Sequence, residues 1–103
     1  MSKYAINFSE SAANTLEDNI LFLKKFNLNH ALKMMEIIIE SINKLIIFPH
    51  SHSIYKTTSR CIYRKLTIKK RYHIIYTVTS SSIIVFYILD GRQAYDTYFK
   101  SLV

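Results

Sequence analysis

The sequence predicts an α+β fold: an N-terminal strand, a helical hairpin, then a three-stranded antiparallel meander, with both helices packed on one face of the sheet. Two observations carry this expectation. Apolar residues step by three and four through the first half of the chain, and from about Arg60 onward they alternate instead. The lone Pro49 and lone Gly91 then mark the boundaries at which the pattern changes. With 103 residues, half of them apolar, the chain has the length and composition of one core, so residues 1–103 are expected to form a single domain.

Each element has its own warrant. Lys3 to Phe8 alternates, placing Tyr4, Ile6 and Phe8 on one side of a short strand. Ser9 offers a hydroxyl to the free N–H groups of a helix start, and a helix is predicted from there to about Phe26 with Ala12, Leu16, Ile20 and Leu23 buried. Asn27 and Asn29 read as cap and turn residues. A second helix is predicted from about His30 to Ile47, with Leu32, Met35, Ile39, Ile42 and Ile46 facing the core and Pro49 ending it. The link between the helices is short enough to make them antiparallel neighbours. His50 to Ser59 reads as a polar loop. Arg60 to Ile68, Arg71 to Thr79 and Ile83 to Leu89 are rich in Ile, Tyr, Thr and Val, as strands prefer. Lys69-Lys70 and Ser80-Ser81-Ser82 are short enough for hairpin turns, although neither carries Asn-Gly chemistry. Gln93 to Leu102 is expected to add a last helical turn or two.

Charge is distributed unevenly along this framework. Met1 to Tyr55 carries five lysines against five acids, whereas Lys56 to Val103 carries nine basic residues against Asp90 and Asp96. The whole net charge of +7 therefore lies in the second half. Lys56, Arg60, Arg64, Lys65, Lys69, Lys70 and Arg71 fall together with no acid among them. Such a field attracts nucleic acid, a membrane surface or an acidic protein, or simply keeps a solvated face soluble. The longest strongly apolar run, Ile83 to Leu89, is far short of the ~20 residues of a membrane helix. The single Cys61 excludes an intramolecular disulfide and a thiolate metal cage, so the expectation is a cytoplasmic protein without metal or cofactor.

Alternation sorts the basic residues by face. Ile62, Leu66 and Ile68 should share the helix side with Tyr72, Ile74, Tyr76 and Val78. Tyr63, Lys65, His73 and Thr77 should then lie on the open face, with Lys69, Lys70 and Arg71 at its rim. Arg64 falls on the apolar side, from which it is expected to reach the sheet edge or a carboxylate. Lysines and arginines hold phosphates while Tyr and His stack on bases; the same groups can also cleave RNA without a metal by moving protons beside a stabilised phosphate. His50-Ser51-His52 offers two imidazoles but no third ligand, and reads as a surface loop.

The run Tyr63-Arg64-Lys65-Leu66-Thr67-Ile68, then Arg71-Tyr72-His73-Ile74-Ile75-Tyr76-Thr77-Val78, then Ile88-Leu89-Asp90-Gly91-Arg92-Gln93 resembles the RelE/ParE superfamily of toxins from type II toxin–antitoxin modules. The resemblance covers nearly the whole chain. The link from Phe26 to Ala31, the long second helix and the meander turns place it nearer the ParE branch. That branch implies a non-enzymatic inhibitor of DNA gyrase, whereas RelE-like members cleave messenger RNA on the ribosome without a metal. Carried over by position, the RelE pattern matches Lys65 and Arg92, with Tyr98 in the tail. There Lys65, Arg71 and Arg92 would hold the phosphate while His73 or Tyr98 handles protons. His73 departs from that pattern, standing where Arg is usual, and Tyr63 stands where Lys is expected. Asp90 beside Arg92 would neutralise it. For either activity Lys65, Lys69, Lys70, Arg71 and Arg92 form the expected contact surface for nucleic acid or a partner. The resemblance also implies a cognate antitoxin, acidic and disordered until it folds on the toxin, with gyrase or the ribosome and its message as target and no membrane role. A plain nucleic-acid-binding module or inactive relic is the third reading.

Overall fold

The computed structural model describes residues 4–91. In chain order they form β1 (Ala5–Phe8), α1 (Glu10–Lys24), α2 (Leu28–Asn43), a 3-10 turn (Lys44–Ile46), β2 (Ile54–Thr57), β3 (Ile62–Ile68), β4 (Tyr72–Val78) and β5 (Ser82–Asp90). One sheet runs in the order β1-β5-β4-β3-β2. β1 lies parallel to β5, with Ala5 opposite Ser82 and Phe8 opposite Val85, and the other neighbours are antiparallel. The predicted strand, helical hairpin and antiparallel meander are all present. One strand is additional: β2 lies inside the segment expected to be a polar loop. Its four residues are too few to show a period, and pairing with β3 is what makes them a strand.

The helix starts follow the sequence closely. Ser9 Oγ accepts the Ala12 N–H at 3.0 Å, and the same hydroxyl donates to the Phe86 carbonyl at 3.0 Å, fastening the start of α1 to β5. Asn27 Oδ1 accepts the His30 N–H at 3.0 Å. Asn29 does not act as a turn residue; with Asn27 already capping, it lies inside the first turn of α2. α1 stops at Lys24, and α2 gives way to the 3-10 turn before Pro49.

The core confirms one helix stripe and rotates the other. Ala12, Ile20 and Leu23 of α1 are buried as predicted, with Leu16 packed against them. On α2 Ile42 is buried, and Ile46 just beyond the helix packs against the core, both as predicted. The other buried residues are Ala31, Met34 and Ile38, followed by Leu45, whereas Leu32 and Met35 are 52% and 41% exposed. Between Ala31 and Ile47 the helix is apolar around much of its circumference, so periodicity alone permits two neighbouring stripes. The stripe that the fold buries is the one carrying Ala31, which is fully covered in the main core. Leu32 and Met35 are left facing outward.

Two buried polar residues of α1 complete the sheet. β1 ends opposite Val85, so the outer edge of β5 beyond that point has no strand partner among the described residues. Thr15 and Asn19 take its place. The Ile88 N–H donates to Thr15 Oγ1 at 3.0 Å, and Asn19 Nδ2 donates to the Ile88 carbonyl at 3.0 Å. Phe86 forms a bulge just before this point: Tyr76 pairs with Val85 and Ile75 with Tyr87.

A candidate polyanion-binding face

Parity on β3 and β4 behaves as predicted except at Ile62, which opens β3 and is 43% exposed. Leu66, Ile68, Tyr72, Ile74 and Tyr76 join the helices in the main core. The opposite face is less open than expected. Tyr63, Ile75, Tyr87 and Leu89 are buried in a second apolar cluster there, with Tyr55, Cys61 and Phe86 packed against it. Tyr63 is therefore no exposed stacking platform, and burial, reinforced by a hydrogen bond with Cys61, pushes its phenol up to about 12. Thr77 is buried as well and donates to the Ile62 carbonyl at 2.7 Å.

Lys65 and His73 do remain together on this face. Thr67 pairs with His73 across the β3–β4 ladder, and Lys65 lies one step along, opposite Ile75. The Lys65 ammonium sits 5.4 Å from the centre of the Tyr55 ring. Thr67 Oγ1 and His73 Nδ1 are 3.0 Å apart. Burial, helped by the nearby Lys65 charge and opposed by Asp90, holds the His73 pKa below its ordinary 6.5. The imidazole is thus neutral near pH 7. Gly91 lies close by: a Cβ there would be tight against the Arg71 carbonyl oxygen, at 3.1 Å, and in ordinary contact with His73 Nε2, at 3.4 Å.

Arg71 is bound within the fold. Its Nε and Nη2 both lie 3.2 Å from Asp90 Oδ2, and its guanidinium stands over the Tyr72 ring at 5.3 Å. Asp90, the acid expected to neutralise Arg92, engages Arg71. Arg92 and Tyr98, and with them the expected C-terminal turn, lie outside the described residues.

Arg64 finds backbone carbonyls rather than a carboxylate. Its Nη1 donates to the His52 carbonyl at 2.8 Å and the His50 carbonyl at 3.2 Å, which pins the segment before β2 against β3. Tyr76 adds to the same corner by donating to the Pro49 carbonyl at 3.0 Å. The signal for this role was parity itself: a charged residue on an apolar side must find acceptors.

Lys69 and Lys70 form the exposed β3–β4 turn, closed by the Arg71 N–H on the Ile68 carbonyl at 3.0 Å. Their φ values are 55° and 57°, the signature of a type I′ hairpin turn. That conformation suits Asn-Gly, and a residue with a Cβ costs about 1–2 kcal/mol there. Among the described residues neither lysine makes an ion pair.

Two hollows lie away from this face. A groove of about 370 Å³ is lined by Phe8, Ala13, Leu16, Ile20, Leu21 and Met35, with Glu17 and Lys24 at its rim. A smaller one of about 180 Å³ lies at the β2–β3 turn, among Lys56, Thr57, Thr58, Ser59 and Arg60. Among the described residues no helix is long and apolar enough to cross a membrane.

Comparison with solved structures finds the same fold. A chain described as the chromosomal ParDE TA system from P. aeruginosa superposes with a TM-score of 0.70 at 16% identity, covering 85% of this chain and 96% of that one. The isolated E. coli RelE toxin superposes with a TM-score of 0.53 at 13% identity, covering 97% and 99%. A search of curated proteins returned no match. Residues 6–95 match the family described as the ParE toxin of the type II toxin-antitoxin system parDE, so the chain belongs to that family and is the toxin of such a module.

Proposed function

We propose that this toxin arrests growth by inhibiting DNA gyrase as a binding protein rather than by cleaving RNA. The observation that carries the proposal is how the described basic and aromatic groups of the sheet are engaged. Arg71 is held by Asp90, Tyr63 is buried with a phenol pushed up to about 12, and Arg64 is spent on backbone carbonyls. General acid–base cleavage needs two proton-transferring groups converging on one phosphate, and among the described residues these contacts leave His73, beside Lys65, as the one candidate of the expected set. The uneven charge remains available for binding, and an acidic antitoxin segment that folds on the toxin suits it by steering. The apolar groove beneath Phe8, Leu21 and Met35 offers such a segment contact area.

The second reading, a ribosome-dependent endoribonuclease, draws on the pair Lys65 and His73. A neutral imidazole beside a cation suits removal of a 2′-OH proton. Induced expression in bacteria, with chromosomal breaks and transcript integrity followed together, separates the two. Double-strand breaks with intact transcripts support gyrase as target. Cuts within translated messages, lost in Lys65→Ala or His73→Ala, overturn it.

A further inference from the structure

The β3–β4 turn carries a conflict between local conformation and residue type. Both central positions are left-handed, at φ 55° and 57°, and both are lysine. A strained backbone persists where the surroundings hold it, and it concentrates where the residue serves a purpose other than folding. Here the surroundings do hold it. The Arg71 N–H closes the turn on the Ile68 carbonyl, the Gly91 N–H donates to the Arg71 carbonyl at 2.6 Å, and Arg71 is tied to Asp90. With the nearest acid occupied in this way, the two ammonium groups project from a rigid tip with no ion pair among the described residues.

We propose that Lys69 and Lys70 form a fixed cationic prong that seats against the phosphate backbone of duplex DNA. The inference deepens the gyrase reading, since duplex DNA is the polyanion in that enzyme's complex. Phosphate suits the prong better than an acidic protein segment does. A lysine ammonium is a point charge that meets phosphate oxygens from a tip, and two adjacent ones meet neighbouring phosphates. A segment that folds on the toxin needs apolar contact area, and the tip offers none: the exposed neighbours of the turn are polar, and the apolar groove is lined by α1, α2 and β1.

The test measures binding of the full-length toxin to a fluorescent 20-base-pair duplex as a function of salt, beside its thermal melt. Replacing the pair by Lys69→Asn with Lys70→Gly supplies the residues that the turn conformation favours. We expect the melting temperature to rise by about 5 °C or more while affinity at 0.1 M salt falls at least about tenfold. The slope of log affinity against log salt should shrink by about two, one for each lost phosphate contact. Lys69→Gln with Lys70→Gln should lose the same affinity without the gain in melting temperature, and Lys69→Arg with Lys70→Arg should keep wild-type binding. Unchanged affinity and salt slope in the first two variants overturns the prong, as does a loss confined to binding of a poly-glutamate peptide. A wild-type protein that binds duplex through the prong yet leaves supercoiling by gyrase untouched overturns the gyrase reading alone.

Discussion

At the scale of single residues, a few polar side chains carry weight out of proportion to their number. Asn19 and Thr15 are the plainest case. Both are buried in α1, where they partner the backbone of Ile88 beyond the end of β1. Asn19→Leu removes the donor and leaves the Ile88 carbonyl dry, so it should destabilise the protein by about 1–3 kcal/mol in urea titration. His73 makes a prediction of opposite character. Its folded pKa lies below 6.5, so the folded state binds the proton less readily than the unfolded chain. Stability from this group is complete above pH 6.5 and declines as pH falls toward the folded pKa. His73→Gln should flatten that decline in melts collected from pH 7.5 down to 5, while a wild-type slope in the variant would exonerate the imidazole. The sequence showed Ser9 and Asn27 as caps, because the chemistry of a cap is local. It could not show Thr15 and Asn19, whose purpose depends on an edge of β5 sixty-nine residues or more away.

At the scale of elements, the difference between what could be read and what could not is a matter of ambiguity in the pattern. α1 has one apolar stripe and was legible. α2 has two adjoining ones, and the choice between them is made by tertiary packing rather than by the helix's own pattern. The consequence is measurable: Ile38→Ala should cost about 2–5 kcal/mol, whereas Leu32→Ala should change stability by less than about 0.5 kcal/mol. Equal costs would mean that α2 sits a third of a turn away from its observed position. The strands after Ile62 were readable from alternation, but β2 was not, because a short edge strand takes its conformation from its neighbour. Arg64 belongs to this scale too. Arg64→Ala strips two carbonyls of their donor and should loosen the segment before β2, giving faster amide exchange across Ile54–Thr57 while β4 stays protected.

At the scale of the whole molecule, charge and fold divide the labour. The nearly neutral first half supplies β1 and the helical hairpin that cover one face of the sheet. The basic half supplies β2 to β5, whose turns and outer face carry most of the net positive charge. The open face was legible in outline from parity and charge, since Lys65 and His73 do meet there beside Thr67. Its finer chemistry was not. Tyr63 and Thr77 are buried, and Arg71 is committed to Asp90, because each depends on packing between strands that are distant in sequence. Taken together, the contacts among the described residues are what the proposed binding role rests on. The most direct measurement of that claim adds the purified toxin to DNA gyrase, ATP and relaxed plasmid, with a parallel reaction containing programmed ribosomes. Non-enzymatic inhibition predicts blocked supercoiling at toxin levels stoichiometric with gyrase while the ribosome-bound message stays intact. Unimpeded supercoiling together with catalytic cleavage of the message would contradict it.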